Sequence, residues 1–168
     1  MIEVNGKKLS QDDVNILLVQ ACHDANLNNV VKAVEEWGAN VNATDALGYA
    51  RAIMYALRSC GNPGDTGELI VKYLVNKGAE VDFKHGDKGS KMDSRPYFIY
   101  YAANNPLHVS DDLVYFLIKN SNPRNLTYVP TTKVGSQHAS IADEIKRYRP
   151  NLYKKLLQER IISNKTSR

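Results

Sequence analysis

The chain has 168 residues, of which 43% are hydrophobic and 24% are charged, and its formal net charge is +4. This composition fits one globular domain, or about four repeats of roughly 33 to 40 residues, and excludes a disordered chain. No apolar run approaches the roughly 20 residues that span a bilayer. The opening MIEVNGKKLSQDD carries acidic residues where a secretion signal needs an apolar core. We therefore expect a cytoplasmic protein with no membrane partner.

The first predicted unit, residues 11–43, follows a polar leader over residues 1–10. Ser10 offers an N-cap to a helix whose apolar residues recur at helical spacing, namely Val14, Leu17, Leu18 and Ala21. A break at residues 24–26 precedes a second apolar stripe, which Gly38 ends. The pattern predicts a helical hairpin closed by a glycine turn.

The second predicted unit, residues 44–82, repeats this plan after a turn-forming stretch. Its closing phrase, Lys77-Gly78-Ala79-Glu80-Val81-Asp82, nearly copies Trp37-Gly38-Ala39-Asn40-Val41-Asn42. Each phrase has a glycine that stops a helix, then a small residue and an inward-pointing valine. A phrase repeated after forty residues predicts an elongated stack of helical hairpins.

The third and fourth predicted units, residues 83–123 and 124–158, are less regular. Each starts with a polar stretch that we expect to be an exposed finger, Phe83 to Ser94 and Arg124 to Thr132. A tyrosine-rich helix from Arg95 to Ala103 and a helix capped by Ser110 or Asp111 follow in the third unit. Basic residues from Lys146 onward, with a tail over residues 159–168, are expected to form a solubilising cap.

Residues 21–45 resemble the N-terminal unit of the ankyrin repeats, and the run Arg51-Ala52-Ile53-Met54-Tyr55-Ala56-Leu57 stands where that family has Thr-Pro-Leu-His-x-Ala-Ala. The third and fourth units depart from the pattern, because Asn120-Ser121-Asn122-Pro123 replaces the Gly-Ala-x-Val ending. The resemblance implies an all-α fold: an ankyrin-repeat solenoid of stacked helical hairpins with protruding β-hairpin-like fingers, forming a single domain over residues 11–158.

Residues that could carry chemistry are scattered. There is no phosphate-binding glycine loop and no GxSxG, and the four histidines stand singly without metal-ligand spacing. His23 and Asp24 are adjacent, but helix neighbours diverge by about 100°, so we expect no interacting pair. Cys22 and Cys60 are interpreted as buried thiols in preference to a disulfide or a nucleophile. We expect no enzyme, no cofactor, no metal site and no catalytic residues.

Tyrosine and charge are the compositional signals of binding. Ten tyrosines occur, three of them at positions 97, 100 and 101, where they either fill gaps between units or are displayed with Arg95. Residues through Thr44 carry a net −3, from three basic and six acidic residues, and the remainder +7, from nineteen and twelve. This polarity would orient an acidic partner toward the C-terminal half.

Ankyrin proteins usually hold partners with their finger tips and the exposed faces of their inner helices. Carried to the matching positions, the resemblance and the tyrosine helix give the following candidate partner-binding residues: Asp45, Leu47, Tyr49, Arg51, Arg58, Lys84, His85, Asp87, Lys88, Arg95, Tyr97, Tyr101, Arg124 and Tyr128. Together they are basic and aromatic, which suits an acidic protein surface.

Three classes of function are compared on this basis. The favoured hypothesis is a non-catalytic module, monomeric when unbound, that masks or neutralises one protein partner. Sixteen asparagines and many lysines suggest an AT-rich genome, which makes an inhibitor, immunity protein or effector plausible, acting in its own cytoplasm or in that of a host cell. The alternative is nucleotide or nucleic-acid binding by the same Tyr and Arg side chains. A hydrolase or transferase has no supporting motif.

Overall fold

A computed structural model describes residues 2–4, 6–83, 97–127 and 139–162 of the chain. Helices dominate these residues, which confirms the all-α prediction. Their one sheet consists of β1 (Ile2–Val4) and β2 (Lys7–Leu9), paired antiparallel. The hairpin lies in the leader, for which the sequence analysis predicts no element, although Asn-Gly between two short runs favours a hairpin turn. No helix in the described part is long and apolar enough to cross a membrane.

The described residues form two compact units, the first ending at Glu80 and the second beginning at Val81. The helices of the first unit are α1 (Gln11–His23), α2 (Leu27–Glu35), α3 (Ala52–Arg58) and α4 (Thr66–Asn76). α1 packs against α2 and α3, while α4 packs against α3 and α2. Two helical hairpins therefore lie side by side in this unit, as the repeated pattern predicts.

Local signals account for the starts of α1 and α4 in the first unit. Ser10 caps α1 in a reciprocal capping box with Asp13, and the side chain of Asp65 accepts the backbone N–H of Glu68 at the start of α4. The side chains that α1 buries are Val14, Leu18, Val19, Ala21 and Cys22. Leu17, which belongs to the predicted apolar stripe, is 37% exposed.

The glycine of the doubled phrase has a positive φ angle in both copies. Gly38 and Gly78 have φ angles of +66° and +93°, a region that glycine enters without the steric cost of a Cβ. The alanines that follow them, Ala39 and Ala79, are each 7% exposed. The valines differ, because Val81 is 4% exposed whereas the other copy's valine is only half-buried. The valine is therefore fully buried, as expected, only in the second copy.

The last residue of each phrase binds a turn further along the chain. The Asn42 side-chain oxygen accepts the backbone N–H of Glu80 at 2.9 Å, and the Asp82 carboxylate accepts that of Asn122 at 2.7 Å. The residue separations are 38 and 40. Both copies of the phrase therefore connect consecutive turns in the same way.

The second unit contains α5 (Tyr97–Ala103), α6 (Asp111–Lys119), α7 (Arg124–Thr127), α8 (Ile141–Tyr148) and α9 (Pro150–Gln158). α5 packs against α6 and α8, and α8 packs against α7 and α9. Ser110, one of the two predicted caps, begins α6 by accepting the backbone N–H of Leu113. The two helices predicted for residues 83–123 are thus present, as α5 and α6.

The two predicted fingers that begin at Phe83 and Arg124 need one correction each. Phe83, expected at the start of an exposed finger, is 8% exposed, since its ring packs 5.4 Å from that of Phe98. Arg124 begins the short helix α7, because the Asn122 side chain accepts its backbone N–H and starts a helical turn there. The remaining predicted finger positions, 84–94 and 128–132, lie outside the described residues.

Arg149, between α8 and α9, is only 3% exposed. Its guanidinium donates hydrogen bonds of 2.9 Å to the carbonyl oxygens of Ala102, Ala103 and Val109, and pairs with the Asp111 carboxylate at 2.6 Å. The prediction that the basic residues from Lys146 onward form a solubilising cap is wrong for this residue. It connects the α8–α9 junction to the end of α5 and to the start of α6.

Candidate functional site

The first finger, residues 43–52, is a closed hairpin-like loop between the two hairpins of the first unit. The backbone N–H of Ala52 donates to the carbonyl of Ala43, and that of Asp45 donates to the carbonyl of Ala50, each at 2.8 Å. Thr44 and Arg51 form an antiparallel bridge between these bonds. The two ends of the first finger are therefore held together by ladder hydrogen bonds.

The carboxylate of Asp45 organises the turn from inside. It accepts the backbone N–H groups of Leu47, Tyr49 and Ala50 at 3.2, 2.9 and 3.2 Å, and the hydroxyl of Tyr55 at 3.0 Å. Partial burial alone would raise the pKa of Asp45, but these hydrogen bonds outweigh it and lower the pKa below its ordinary value. The first finger is consequently fixed by a charged group and not only by its backbone.

The tip of the first finger exposes two large side chains. Leu47 is 72% exposed and Tyr49 is 62% exposed. Arg51, at the base, is instead paired with the Glu80 carboxylate at 2.7 Å and bonded to the Asn42 side chain at 3.2 Å. The first finger thus presents an apolar tip on a base fixed by ionic and polar contacts.

Two grooves lie between α1 and the first finger, with volumes of about 250 and 430 Å³. They share Ile16, Asp45 and Ala46 as lining residues, and we call them together the α1 groove. The other residues that line it are Asp12, Asn15, Val19, Gln20, His23, Thr44, Leu47, Gly48 and Tyr55. Ile16 is 47% exposed there, so α1 contributes an apolar wall beside the finger tip.

His23 and Asp24, expected not to interact, form a hydrogen-bonded pair with 3.0 Å between the ring Nδ1 and the carboxylate. The expectation is wrong: the Asp24 carboxylate reaches the ring at the C-cap of α1, although the Asp24 backbone N–H still bonds to the Gln20 carbonyl. Gln20 donates to the same carboxylate at 2.9 Å, and the His23 ring lies 6.0 Å from that of Tyr55. His23 therefore lies at one end of the α1 groove.

The structure brings some predicted partner-binding residues together and leaves others apart. Asp45, Leu47, Tyr49 and Arg51 share the first finger, and Arg58 is exposed at the end of α3 in the same unit. Tyr101, half-buried on α5, and the exposed Arg124 belong to the second unit. Those outside the described residues are Lys84, His85, Asp87, Lys88, Arg95 and Tyr128. The side chain of Tyr97, the first residue of α5, is also not described.

The α1 wall of the groove is missing from the sequence prediction. Asp12, Ile16, Gln20 and His23 recur every three or four residues and therefore share one helix face. Ile16 was the available signal, since it is an apolar residue outside the buried stripe of α1.

Cys22 and Cys60 are free and buried, which confirms the predicted thiols. Burial is the largest cause that raises the pKa of each thiol, to about 12, so both are poor nucleophiles at neutral pH. Within the ranges that the structure describes, no group of three or more His, Cys, Asp or Glu side chains could hold a metal ion.

No protein-family model, curated protein or solved structure matches this chain. The function is therefore argued from the geometry of the first finger and the α1 groove.

Proposed function

We propose that this chain is a non-catalytic protein-binding module whose first unit binds one partner through the first finger and the α1 groove. The supporting observation is a fixed loop with an exposed tip: four hydrogen bonds to Asp45 hold the turn that presents Leu47 and Tyr49. A loop ordered before binding loses little conformational entropy on association. The same contacts therefore give a higher affinity than they would give if the loop were flexible.

The side chains at the tip are of the kind that dominates interface energies. Tyrosine contributes a large amphipathic surface with few rotatable bonds, and hot spots cluster around such residues. Leu47 and Ile16 add aliphatic surface on the two walls of the same groove. Exposed apolar residues that occur singly are ordinary, but a set that surrounds one groove marks an interaction site.

The proposal includes an ankyrin-type repeat for the stacked hairpins. The left-handed glycines Gly38 and Gly78, the buried alanines after them and the matching hydrogen bonds of Asn42 and Asp82 support it. A repeat that contacts mainly its neighbours leaves an extended face for a partner. A module of this kind acts by covering what it binds, so we propose masking or neutralisation as the role. The two free thiols support a reducing compartment such as the cytoplasm.

The test is affinity capture from the native organism with the full chain and with a Leu47→Ser, Tyr49→Ala double variant. The matched control is Leu107→Ser, because Leu107 is 79% exposed in the second unit. We expect the double variant to bind the captured protein at least about tenfold more weakly and the control to bind it normally. Equal affinities of the two variants would contradict the assignment to the first finger.

Two further measurements define the role. Addition of the full chain to the purified partner should reduce the activity or the further interactions of that partner, and an unaffected partner would argue against masking. Capture of a nucleic acid, with an affinity that falls steeply as salt rises, would favour the nucleic-acid hypothesis instead.

A further inference from the structure

The charged residues that line the α1 groove include two carboxylates, Asp12 and Asp45, and no lysine or arginine. His23 also lines it, and its ring is bonded to the carboxylate of Asp24 at the end of α1. Residues 1–80 carry seven lysines and arginines against ten acidic residues, a net −3. The groove is therefore acidic within an acidic unit, opposite in sign to the basic site that the sequence predicts.

The two carboxylates differ in what they can bind. The oxygens of Asp45 already accept four hydrogen bonds from the first finger and Tyr55. This carboxylate therefore attracts a cation by its negative charge more than by direct contact. Asp12 is exposed in the first turn of α1, and its carboxylate forms no hydrogen bond or ion pair with any residue in the described ranges. Its carboxylate is available to a cation that enters the groove.

Apolar surface adjoins this carboxylate. Ile16 lies one helical turn after Asp12 on the same face of α1, and Leu47 lines the opposite wall of the same 430 Å³ groove. Ligand sites commonly occupy roughly 300–1,000 Å³, so there is space for a few side chains. A ligand that fits has an apolar part between Ile16 and Leu47 and a positive charge near Asp12.

We infer that the α1 groove binds a basic peptide segment of the protein partner, in which lysine or arginine flanks an aliphatic or aromatic residue. The inference rests on the proposed function and names the partner chemistry of that site. The apolar side chain packs against Ile16 and Leu47, and the cation pairs with Asp12. Long basic side chains suit this arrangement, since their methylene stems can cover apolar surface while the charged end reaches the carboxylate.

The test is selection of random dodecapeptides displayed on phage against the immobilised full chain, followed by affinity measurement of the selected peptides. Asp12→Lys tests the ionic contact, with Asp112→Lys as its matched control. Both aspartates are exposed and lie in the first turn of a serine-capped helix. Ile16→Ser tests the apolar contact, with Leu69→Ser as its control, because the two side chains are 47% and 50% exposed.

We expect the selected peptides to be enriched in lysine or arginine next to an apolar residue, and to bind more weakly as salt rises. Asp12→Lys and Ile16→Ser should each weaken their binding by about tenfold, while both controls stay within about twofold. The inference would be overturned if acidic residues were enriched or if no peptide were enriched. It would also be overturned if a variant and its control lost peptide affinity equally. Acidic peptides that still need Leu47 and Tyr49 would overturn it while leaving the proposed function intact.

Discussion

Gly67 lies where α4 begins to pack against α3. A Cβ at this position would lie 2.9 Å from the carbonyl oxygen of Ala56 and 2.9 Å from the Sγ of Cys60. The first neighbour is backbone and cannot rotate away, so an added methyl group must separate the two helices. The close approach explains why a glycine stands in the first turn of α4.

Gly67→Ala should lower the free energy of unfolding by about 1–3 kcal/mol, the usual cost of overpacking. The control is Gly61→Ala, since a Cβ there would meet its nearest neighbour, the Asp65 carboxylate, at an ordinary 3.7 Å. Urea unfolding of both variants measures the difference. A Gly67→Ala protein as stable as the control would contradict the packing of α3 on α4.

Arg149 satisfies three backbone carbonyls that would otherwise lack this donor in a buried region. Arg149→Met should therefore cost about 3–5 kcal/mol of stability, because it leaves the acceptors and Asp111 without their partner. Arg147→Met, two residues earlier on an exposed position, should change stability by less than about 1 kcal/mol. Similar melting temperatures for the two variants would contradict the buried hydrogen bonds of the Arg149 guanidinium.

The turns that carry Asp45 and Asp65 predict a specific response to acid. Partial burial would raise the pKa of each carboxyl, but backbone N–H donors outweigh it and lower both pKa values from the ordinary 3.8. As the pH falls, the unfolded chain takes up these protons before the folded chain does. Their stabilisation is therefore complete above the ordinary pKa and is lost as the pH falls through the lowered one.

Asp45→Asn should reduce stability at pH 7, since one amide oxygen replaces two carboxylate oxygens as acceptors in the first finger. It should also flatten the loss of stability as the pH falls below the ordinary pKa of an aspartate, because the titrating group is gone. Denaturant unfolding across this range measures both effects. The curves of variant and wild type should converge at low pH, and parallel curves would argue against an ionised Asp45 in the turn.

The two copies of the repeated phrase should differ in their tolerance of charge. Val81→Asp places a carboxylate at a position that is 4% exposed and should cost more than about 3 kcal/mol. Val41→Asp is at a half-buried position and should cost clearly less. Chemical denaturation of both variants tests this order, and the reverse order would contradict the burial of these turns.

Across the whole chain, the sequence predicts best what local contacts determine. The starts of α1 and α6 follow from Ser10 and Ser110, and the ends of α2 and α4 from Gly38 and Gly78. These signals act within a few residues, so no tertiary information is needed to recognise them.

The α1 groove and Arg149 depend on contacts between distant parts of the chain. The groove exists because the first finger lies beside one face of α1, about thirty residues away in sequence. The acceptors of Arg149 lie 40 to 47 residues before it. Periodicity identifies which face of a helix is apolar but not which loop will lie beside the opposite face, so the acidic wall of the site could not be predicted.

The two parts of the chain before and after residue 80 differ in net charge. Residues 1–80 carry a net −3, and residues 81–168 carry a net +7 from fifteen basic and eight acidic residues. Under the proposed function, a basic segment of the partner would be attracted to the acidic residues 1–80, which contain the α1 groove.

The central claim is that the partner binds the first finger and the α1 groove, and amide hydrogen exchange of the full chain with and without the captured protein tests it most directly. We expect exchange to slow on binding in residues 43–52 and in the first half of α1, because the partner covers these backbone amides. Peptides from α8 and α9 should exchange at unchanged rates. Protection confined to residues after Tyr97, with the first finger unaffected, would contradict the claim.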